Sequence, residues 1–342
     1  MKSYFILTIS SLLSGLLISH FVPPAELLAS PYFSTFTYIL LGLGLYGAVY
    51  GIDLQSLKIL KKQVFLVVTV GVLIKILFIG SILFFITGNI FSYLLACIVA
   101  QIDPLSIAKL TEKTTLSPKA QTMLKAWASF DDPMTVLIAF YFILPFLISS
   151  QSSFLEYLLN VGYNIAFAAF AFVLNKYLTK LTKNRFTLLL LLAFLAIGIT
   201  FKLMFGLALV ALILRPQITL FDLKFDDIVN KIVTSSYYIS VVILGILVSS
   251  GVYLQLGIIL GILAFVSQIL VTNGLLFNFS KGDKIKLSFA QYNGITSIIL
   301  ASFLQQYFTQ TVGIVAVALV AISVLYFGVN AFISKNEFDK IH

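Results

Sequence analysis

Long apolar runs, broken at intervals by charged residues or by Gly, Pro and Asn, dominate the chain. A helix needs roughly 20 residues to cross the hydrocarbon layer of a bilayer. Spans between the breaks fall at 3–20, 33–50, 64–86, 90–108, 126–148, 154–175, 187–200, 203–214, 232–249, 252–277, 287–304 and 310–333. The seventh and eighth are short, and a single long helix is the competing reading. The first also resembles a signal peptide, because Lys2 precedes an apolar run. We read it as a helix: the run is long, and His20 to Pro31 carries no clear small-x-small cleavage site. Pro23, Pro24 and Pro31 read as an external loop. The pattern predicts an all-α polytopic membrane protein with about twelve transmembrane helices, organised as one integral membrane domain over 1–342.

Charge decides between the readings of segments seven and eight. With two helices there, every second connection is basic: Lys58, Lys61 and Lys62; Lys109, Lys113, Lys119 and Lys125; Lys176, Lys180, Lys183 and Arg185; Arg215, Lys224 and Lys231; Lys281, Lys284 and Lys286. Lys2, Lys335 and Lys340 fall on the same side, so twenty of the 22 basic residues share one face, leaving Lys75 and Lys202. One merged helix would send Arg215 and everything after it to the other side. The positive-inside rule therefore favours twelve spans with both termini cytoplasmic, in the plasma or inner membrane of a cell.

Composition narrows the function. The chain is 60% hydrophobic and 10% charged, against about a quarter charged in soluble domains, which leaves no room for a soluble catalytic or nucleic-acid-binding domain. The net charge of +9 is dispersed over loops rather than gathered on one element, so orientation in the membrane explains it better than a nucleic-acid partner does. The single cysteine, Cys97, lies in an apolar segment. No disulfide framework, thiolate metal site or cofactor is expected.

Ionisable groups at membrane depth are expensive and mark function. Of the 13 acidic residues, three lie deep in apolar segments: Asp103, Asp131 and Asp132. Asp103 sits in Ala100-Gln101-Ile102-Asp103-Pro104, where Pro104 removes a backbone donor and disfavours helix at the residue before it. The freed carbonyls must line a cavity or meet protein. Nearly the same string recurs 190 residues later as Ala290-Gln291-Tyr292-Asn293-Gly294, with Asn-Gly again a helix breaker. The chain crosses seven times between the starts of segments four and eleven, so the starts lie on opposite faces and the repeat is inverted. Paired broken helices in inverted repeats point to a binding site at the bilayer midplane.

Asp131-Asp132-Pro133 is the sharpest polar feature. One reading has the pair cap a helix that begins at Asp132 with Pro133 in its first turn. That leaves the apolar approach from Lys125 through Trp127, Ser129 and Phe130 without a use. Inside segment five, the two carboxylates titrate as a coupled unit that can hold protons or a small cation, and not both.

This pattern resembles the cation:proton antiporter superfamily, the sodium/proton exchangers of NhaA-type fold. Leu41-Gly42-Leu43-Gly44 leading to Gly51-Ile52-Asp53-Leu54 is similar to the family's second-helix pattern, Gln101-Ile102-Asp103-Pro104 to its Thr-Asp-Pro break, and Ser129-Phe130-Asp131-Asp132 to its Asn-Asp or Asp-Asp ion site. Phe289 to Gly294 stands where many members have Pro-Arg-Gly. The resemblance implies inverted repeats of helices 3–5 and 10–12, with broken helices 4 and 11 crossing at the midplane. Helices 1–2 and 7–9 form the scaffold and dimer part. By the same resemblance Asp132 is the carrier carboxylate and Asp131 its variable neighbour, while Asp103 and Asn293 neutralise helix ends. Gln101, Pro104, Gly294, Ser129 and Gln268 are supporting positions. Ile102 departs from the family's threonine. The tenth helix, Ile258 to Phe277, lacks the lysine that electrogenic members pair with the aspartates; Gln268 is its most polar residue nearby.

Lys75 is a candidate substitute. It stands at the centre of segment three, the repeat partner of segment ten, and the 190-residue offset carries it to Phe265. A snorkelling or cavity lysine is the bland alternative. Lys202 between segments seven and eight reads as an interfacial anchor, and His20 as structural. The leading expectation is a proton antiporter for Na+, Li+ or K+, working as a homodimer in the lipid bilayer. A sodium-coupled symporter of an organic solute and a non-transporting sensor or subunit are the alternatives. An intramembrane enzyme fits less well, because adjacent side chains on a helix diverge by about 100° and do not flank one substrate.

Overall fold

The computed structural model describes residues 2–52, 54–104, 107, 116–148, 154–178, 185–216, 218–220 and 223–338. Helix α1 (Lys2–Ile18) and a short α2 (Pro24–Ala29) lead into α3 (Pro31–Tyr50). Helix α4 (Leu54–Leu66) passes through a π turn (Val67–Gly71) into α5 (Val72–Thr87), and α6 (Ser92–Ala100) follows. Helix α7 (Pro118–Ile138) continues through a second π turn (Ala139–Ile143) to α8 (Leu144–Ile148). Then come α9 (Phe154–Leu178), α10 (Arg185–Thr200) and α11 (Met204–Ile213). A two-stranded antiparallel hairpin, Thr219–Leu220 with Leu223–Lys224, precedes α12 (Phe225–Val248). The chain goes on as α13 (Leu254–Leu275), α14 (Lys281–Ser288), α15 (Ile295–Leu304) and α16 (Thr311–Phe338).

Seven helical stretches among the described residues are long and apolar enough to cross a bilayer: Pro31–Tyr50, Leu60–Thr87, Pro118–Leu147, Leu155–Tyr177, Phe225–Val248, Leu254–Leu275 and Thr311–Ala331. Large apolar side chains such as Phe65, Leu77, Phe85, Phe146, Leu155, Phe170 and Val320 face outward. Water would penalise that surface and lipid accepts it. The protein is a multi-pass membrane protein.

In lipid, helices associate through close backbone approach rather than hydrophobic burial, and small residues permit it. Gly257 and Gly261, one turn apart on α13, take this role against α16. A Cβ on Gly257 would come within 2.7 Å of the Ile314 carbonyl oxygen, and one on Gly261 within 2.9 Å of that of Ala318. Gly15 and Gly245 do the same where α1 crosses α12: a Cβ on Gly15 would lie 2.9 Å from the Cα of Gly245. The first helix is thus packed into the bundle.

Several sequence boundaries need correction. Helix α7 begins at Pro118, capped by the Ser117 hydroxyl accepting from the Ala120 N–H at 3.2 Å, eight residues before the start expected at 126. Its first two turns carry Lys119, Gln121 and Lys125 and extend the helix beyond the apolar run. Likewise α12 begins at Phe225 rather than 232, with Asp226 and Asp227 in its first turn, where acids favour the helix dipole. Segment eleven is two helices, and its basic approach, Lys281 to Lys286, is the helix α14 rather than a loop. The Pro23–Pro31 loop contains α2, because Pro24 suits a first helical turn. Segments seven and eight are separate helices, as the charge pattern required. The hairpin was not expected in an all-α chain. Asp53, Lys109, Lys113, Lys180, Lys183 and Lys340 lie outside the described residues.

Candidate functional site

Two non-helical stretches meet inside the bundle. Helix α6 stops at Ala100, and Gln101, Ile102 and Asp103 are not helical; α14 stops at Ser288, and helix resumes at Ile295 after Gly294. They touch directly: the Asp103 N–H donates to the Tyr292 carbonyl at 2.7 Å. Each break exposes backbone groups that lipid cannot satisfy, and side chains satisfy them across the contact. Gln291 Nε2 donates to the carbonyls of Val99 (2.9 Å) and Gln101 (2.7 Å). Asn293 Nδ2 reaches those of Ile98 (3.3 Å) and Val99 (3.2 Å), and the Ser297 hydroxyl donates to Ile98 at 2.9 Å. The carbonyl end of α6 is therefore capped by amides from the opposite stretch. Asp103 lies against Gly294, the residue before α15, where its Oδ1 occupies the place a Cβ would take. Any larger residue at 294 would displace that carboxylate from the α15 N-terminus, where negative charge is favoured.

Beside this crossing, α7 carries Asp131 and Asp132 within an unbroken helix, so they do not cap its start. Pro133 is internal to the helix and has no N–H for the Ser129 carbonyl four residues earlier. Asp131 is held by nitrogen donors: Lys75 Nζ at 3.3 Å from Oδ2, Trp127 Nε1 at 3.0 Å from Oδ1, and the Ile102 N–H. Lys75 and Asp131 are both fully buried. Lys75 Nζ also donates to the Ala100 carbonyl at 2.7 Å and to Gln291 Oε1 at 3.3 Å, and lies 5.1 Å from the Trp127 ring centroid. The π turn Val67–Gly71 sits one turn before Lys75 and widens the helix there. Asp132 points elsewhere: its Oδ2 accepts from the Thr296 hydroxyl at 2.7 Å. One carboxylate is thus held against an ammonium and an indole N–H, and its neighbour against a hydroxyl.

No family model and no curated protein matches the chain. Solved structures do. A structure of the sodium proton antiporter from Methanocaldococcus jannaschii at pH 8 superposes with a TM-score of 0.66 at 18% identity, covering 94% of this chain and 88% of that one. An electron-microscopy map of the same protein gives a TM-score of 0.69 at 18% identity, over 95% and 89%. The chain shares the fold of that sodium proton antiporter.

Within that antiporter fold the expected residues are not all in one place. Asp131, Lys75, Gln101, Asp103, Asn293 and Gly294 gather at or beside the crossing, with Asp132 one step along α7. Ser129 is buried on the same helix, and Pro104 follows the first break. Gln268 serves a different end: its Nε2 donates to the Leu287 carbonyl at 3.0 Å, at the C-terminus of α14, and its Oε1 has no partner. Phe265, to which the 190-residue offset carries Lys75, is buried against Phe289. Lys202 lies over the Tyr38 ring, and His20, two residues past the end of α1, bonds the Leu16 carbonyl. Sequence reasoning passed over Trp127 and Thr296. Thr296 follows the Asn-Gly break by two residues, a position that was a readable signal.

Proposed function

We propose that the protein is a secondary antiporter exchanging protons for a monovalent cation, Na+, Li+ or K+, in the plasma or inner membrane. It does so as a transporter rather than an enzyme. The observation that carries this reading is the buried Lys75–Asp131 pair beside Asp132 where two non-helical stretches meet, within a fold shared with a sodium proton antiporter. Asp132 carries either a proton or the cation. Asp131 and Lys75 hold the adjacent charge in balance, and cation arrival perturbs that pair, so the lysine takes part in setting how many charges move per cycle. Asp103 and Asn293 keep the crossing's helix ends neutral in both states.

The membrane topology follows the same reading. Shorter apolar helices, Ile6–Ile18, Phe186–Thr200, Met204–Ile213 and Ile295–Leu304, together with α6, bring the seven long stretches to twelve spans. Segments 3–5 and 10–12 form the inverted repeats, their breaks crossing near the midplane, with both termini cytoplasmic. Segments 1–2 and 7–9 provide the scaffold and the face of a homodimer, for which a dimer mass in native-like lipid particles is the expected result. Lys75 is already engaged by Asp131, which supports a cation rather than an organic anion as cargo.

The test is proton flux in proteoliposomes on adding Li+, Na+ or K+ salts in turn. Wild type should move protons with at least one cation, Asp132→Asn should abolish the flux while remaining folded, and Asp131→Asn should be milder. Cation-independent or absent flux in folded wild type would leave a sensor or subunit as the better reading.

A further inference from the structure

Asp131 and Asp132 are held by groups of different chemistry. The partners of Asp131 are an ammonium, an indole N–H and a backbone N–H, none of which can offer a lone pair to a cation. Asp132 is met by a hydroxyl instead. Thr296 Oγ1 lies 2.7 Å from its Oδ2, with Thr296 1% and Asp132 2% exposed. A hydroxyl carries one proton and two lone pairs. It donates to a bare carboxylate, and rotation about Cβ–Oγ turns a lone pair toward a cation seated on that carboxylate.

The origin of this oxygen matters as much as its position. Thr296 is the second residue of α15, directly after the break at Gly294, whereas Asp132 belongs to α7. The Thr135 hydroxyl, three residues on from Asp132 in the same helix, is turned back to the Asp132 backbone carbonyl at 2.9 Å. Carboxylate and hydroxyl make an all-oxygen pair, the chemistry of hard cations rather than of metals that need nitrogen or sulfur.

The geometry points to Thr296 as a cation ligand at Asp132, contributed by the second half of the molecule and contributing to the choice among Li+, Na+ and K+. This inference rests on the antiport reading above and deepens it. Because the hydroxyl and the carboxylate stand on separate elements, the spacing between α7 and α15 sets the size of the ligand shell, and losing the hydroxyl changes ligand number as well as affinity.

Wild type, Thr296→Val and Thr296→Ser, reconstituted in proteoliposomes, are compared over concentration series of LiCl, NaCl and KCl, and the same detergent-solubilised proteins are titrated calorimetrically with each salt. Valine keeps the shape and removes the oxygen. Thr296→Val should raise KM and the calorimetric Kd of the preferred cation about tenfold, with a smaller change in kcat and a changed order among the three cations, while Thr296→Ser stays within about twofold of wild type. Should Thr296→Val fail to fold, Thr296→Ala carries the same expectation. A hydroxyl that only orients Asp132 would shift the pH profile equally for all three cations and keep their order. That result, or an unchanged Kd in a folded variant, overturns the proposal. Absent flux in wild type overturns the antiport reading instead, and the calorimetric difference between wild type and Thr296→Val still decides the role of Thr296.

Discussion

The two non-helical stretches repeat one pattern, Gln-x-Asp-Pro at 101–104 and Gln-x-Asn-Gly at 291–294, yet they do opposite work. The first contributes ionisable groups: Asp103 lies at the N-terminus of α15, and its neighbours Lys75 and Asp131 belong to the same half of the chain. The second contributes uncharged donors, Gln291 and Asn293, which cap the carbonyls of 98, 99 and 101. The two glutamines differ most. Gln291 is bonded at both ends of its amide, whereas Gln101 reaches only the Cys97 carbonyl at 3.5 Å and leaves Oε1 without a partner. Two similar strings thus divide the labour: one carries the acid, and the other satisfies the backbone that the break exposes.

Exchanging acid and amide should break this division most severely. Asn293→Asp removes one donor from each of two carbonyls and sets a part-buried carboxylate against them, which should cost about 1–3 kcal/mol. Asp103→Asn keeps an oxygen at the α15 N-terminus, where Asn and Asp cap comparably, and should cost about 1 kcal/mol or less. Thermal melts in detergent would separate the two, and equal losses would contradict the division. The glutamines sharpen it. Gln291→Leu strands the Gln101 carbonyl, leaves Val99 with Asn293 alone and should cost about 1–3 kcal/mol, whereas Gln101→Leu removes an unsatisfied amide and should be neutral or stabilising.

Lys75 tests the charged side alone. Lys75→Leu should fold nearly as well as wild type, because the partner Asp131 can take up a proton and so avoid a buried unpaired charge. Lys75→Gln should retain cation binding but change the charges moved per cycle, or the pH at which transport switches on, read as currents on a supported membrane. An unchanged voltage dependence and pH profile in both variants would make Lys75 a cavity residue.

How far the sequence discloses this depends on whether a residue looks out of place. Asp103, Asp131, Asp132 and Lys75 stand out because charge at membrane depth is costly, and Pro104 and Asn293-Gly294 because they break helices in apolar runs. Trp127 is unremarkable in a membrane helix and Thr296 is marked only by its place after the Asn-Gly break; the packing of α5, α7 and α15 brings them to the carboxylates. Gln268 illustrates the reverse: its polarity drew attention, but its amide satisfies the end of α14. The starts of α7 and α12 were hidden because both helices extend past the apolar run into polar turns, where hydrophobicity no longer reports on helix.

The smallest expected effect lies away from the crossing, where Asp283 joins the starts of α7 and α14. Burial disfavours its charge, but the Ser117 N–H and hydroxyl at 3.0 and 2.8 Å, the Ser280 hydroxyl at 2.9 Å and Lys286 outweigh it and hold the carboxyl below the ordinary range. A carboxyl lowered by folding contributes stability that is complete above the unfolded value of about 3.9 and is lost as pH falls through the folded value. Asp283→Asn should therefore lower Tm by a constant amount above about pH 5, with the gap closing in acid. A gap that widened in acid would contradict the assignment.

The central claim is competition between a proton and a cation at Asp132, and proton release on cation addition measures it without transport. Detergent-solubilised protein in weak buffer, followed with a pH indicator while Li+, Na+ or K+ chloride is added, should release protons from wild type with at least one cation, and release none from Asp132→Asn. Equal release from both proteins, or none from folded wild type at any pH, would contradict the account.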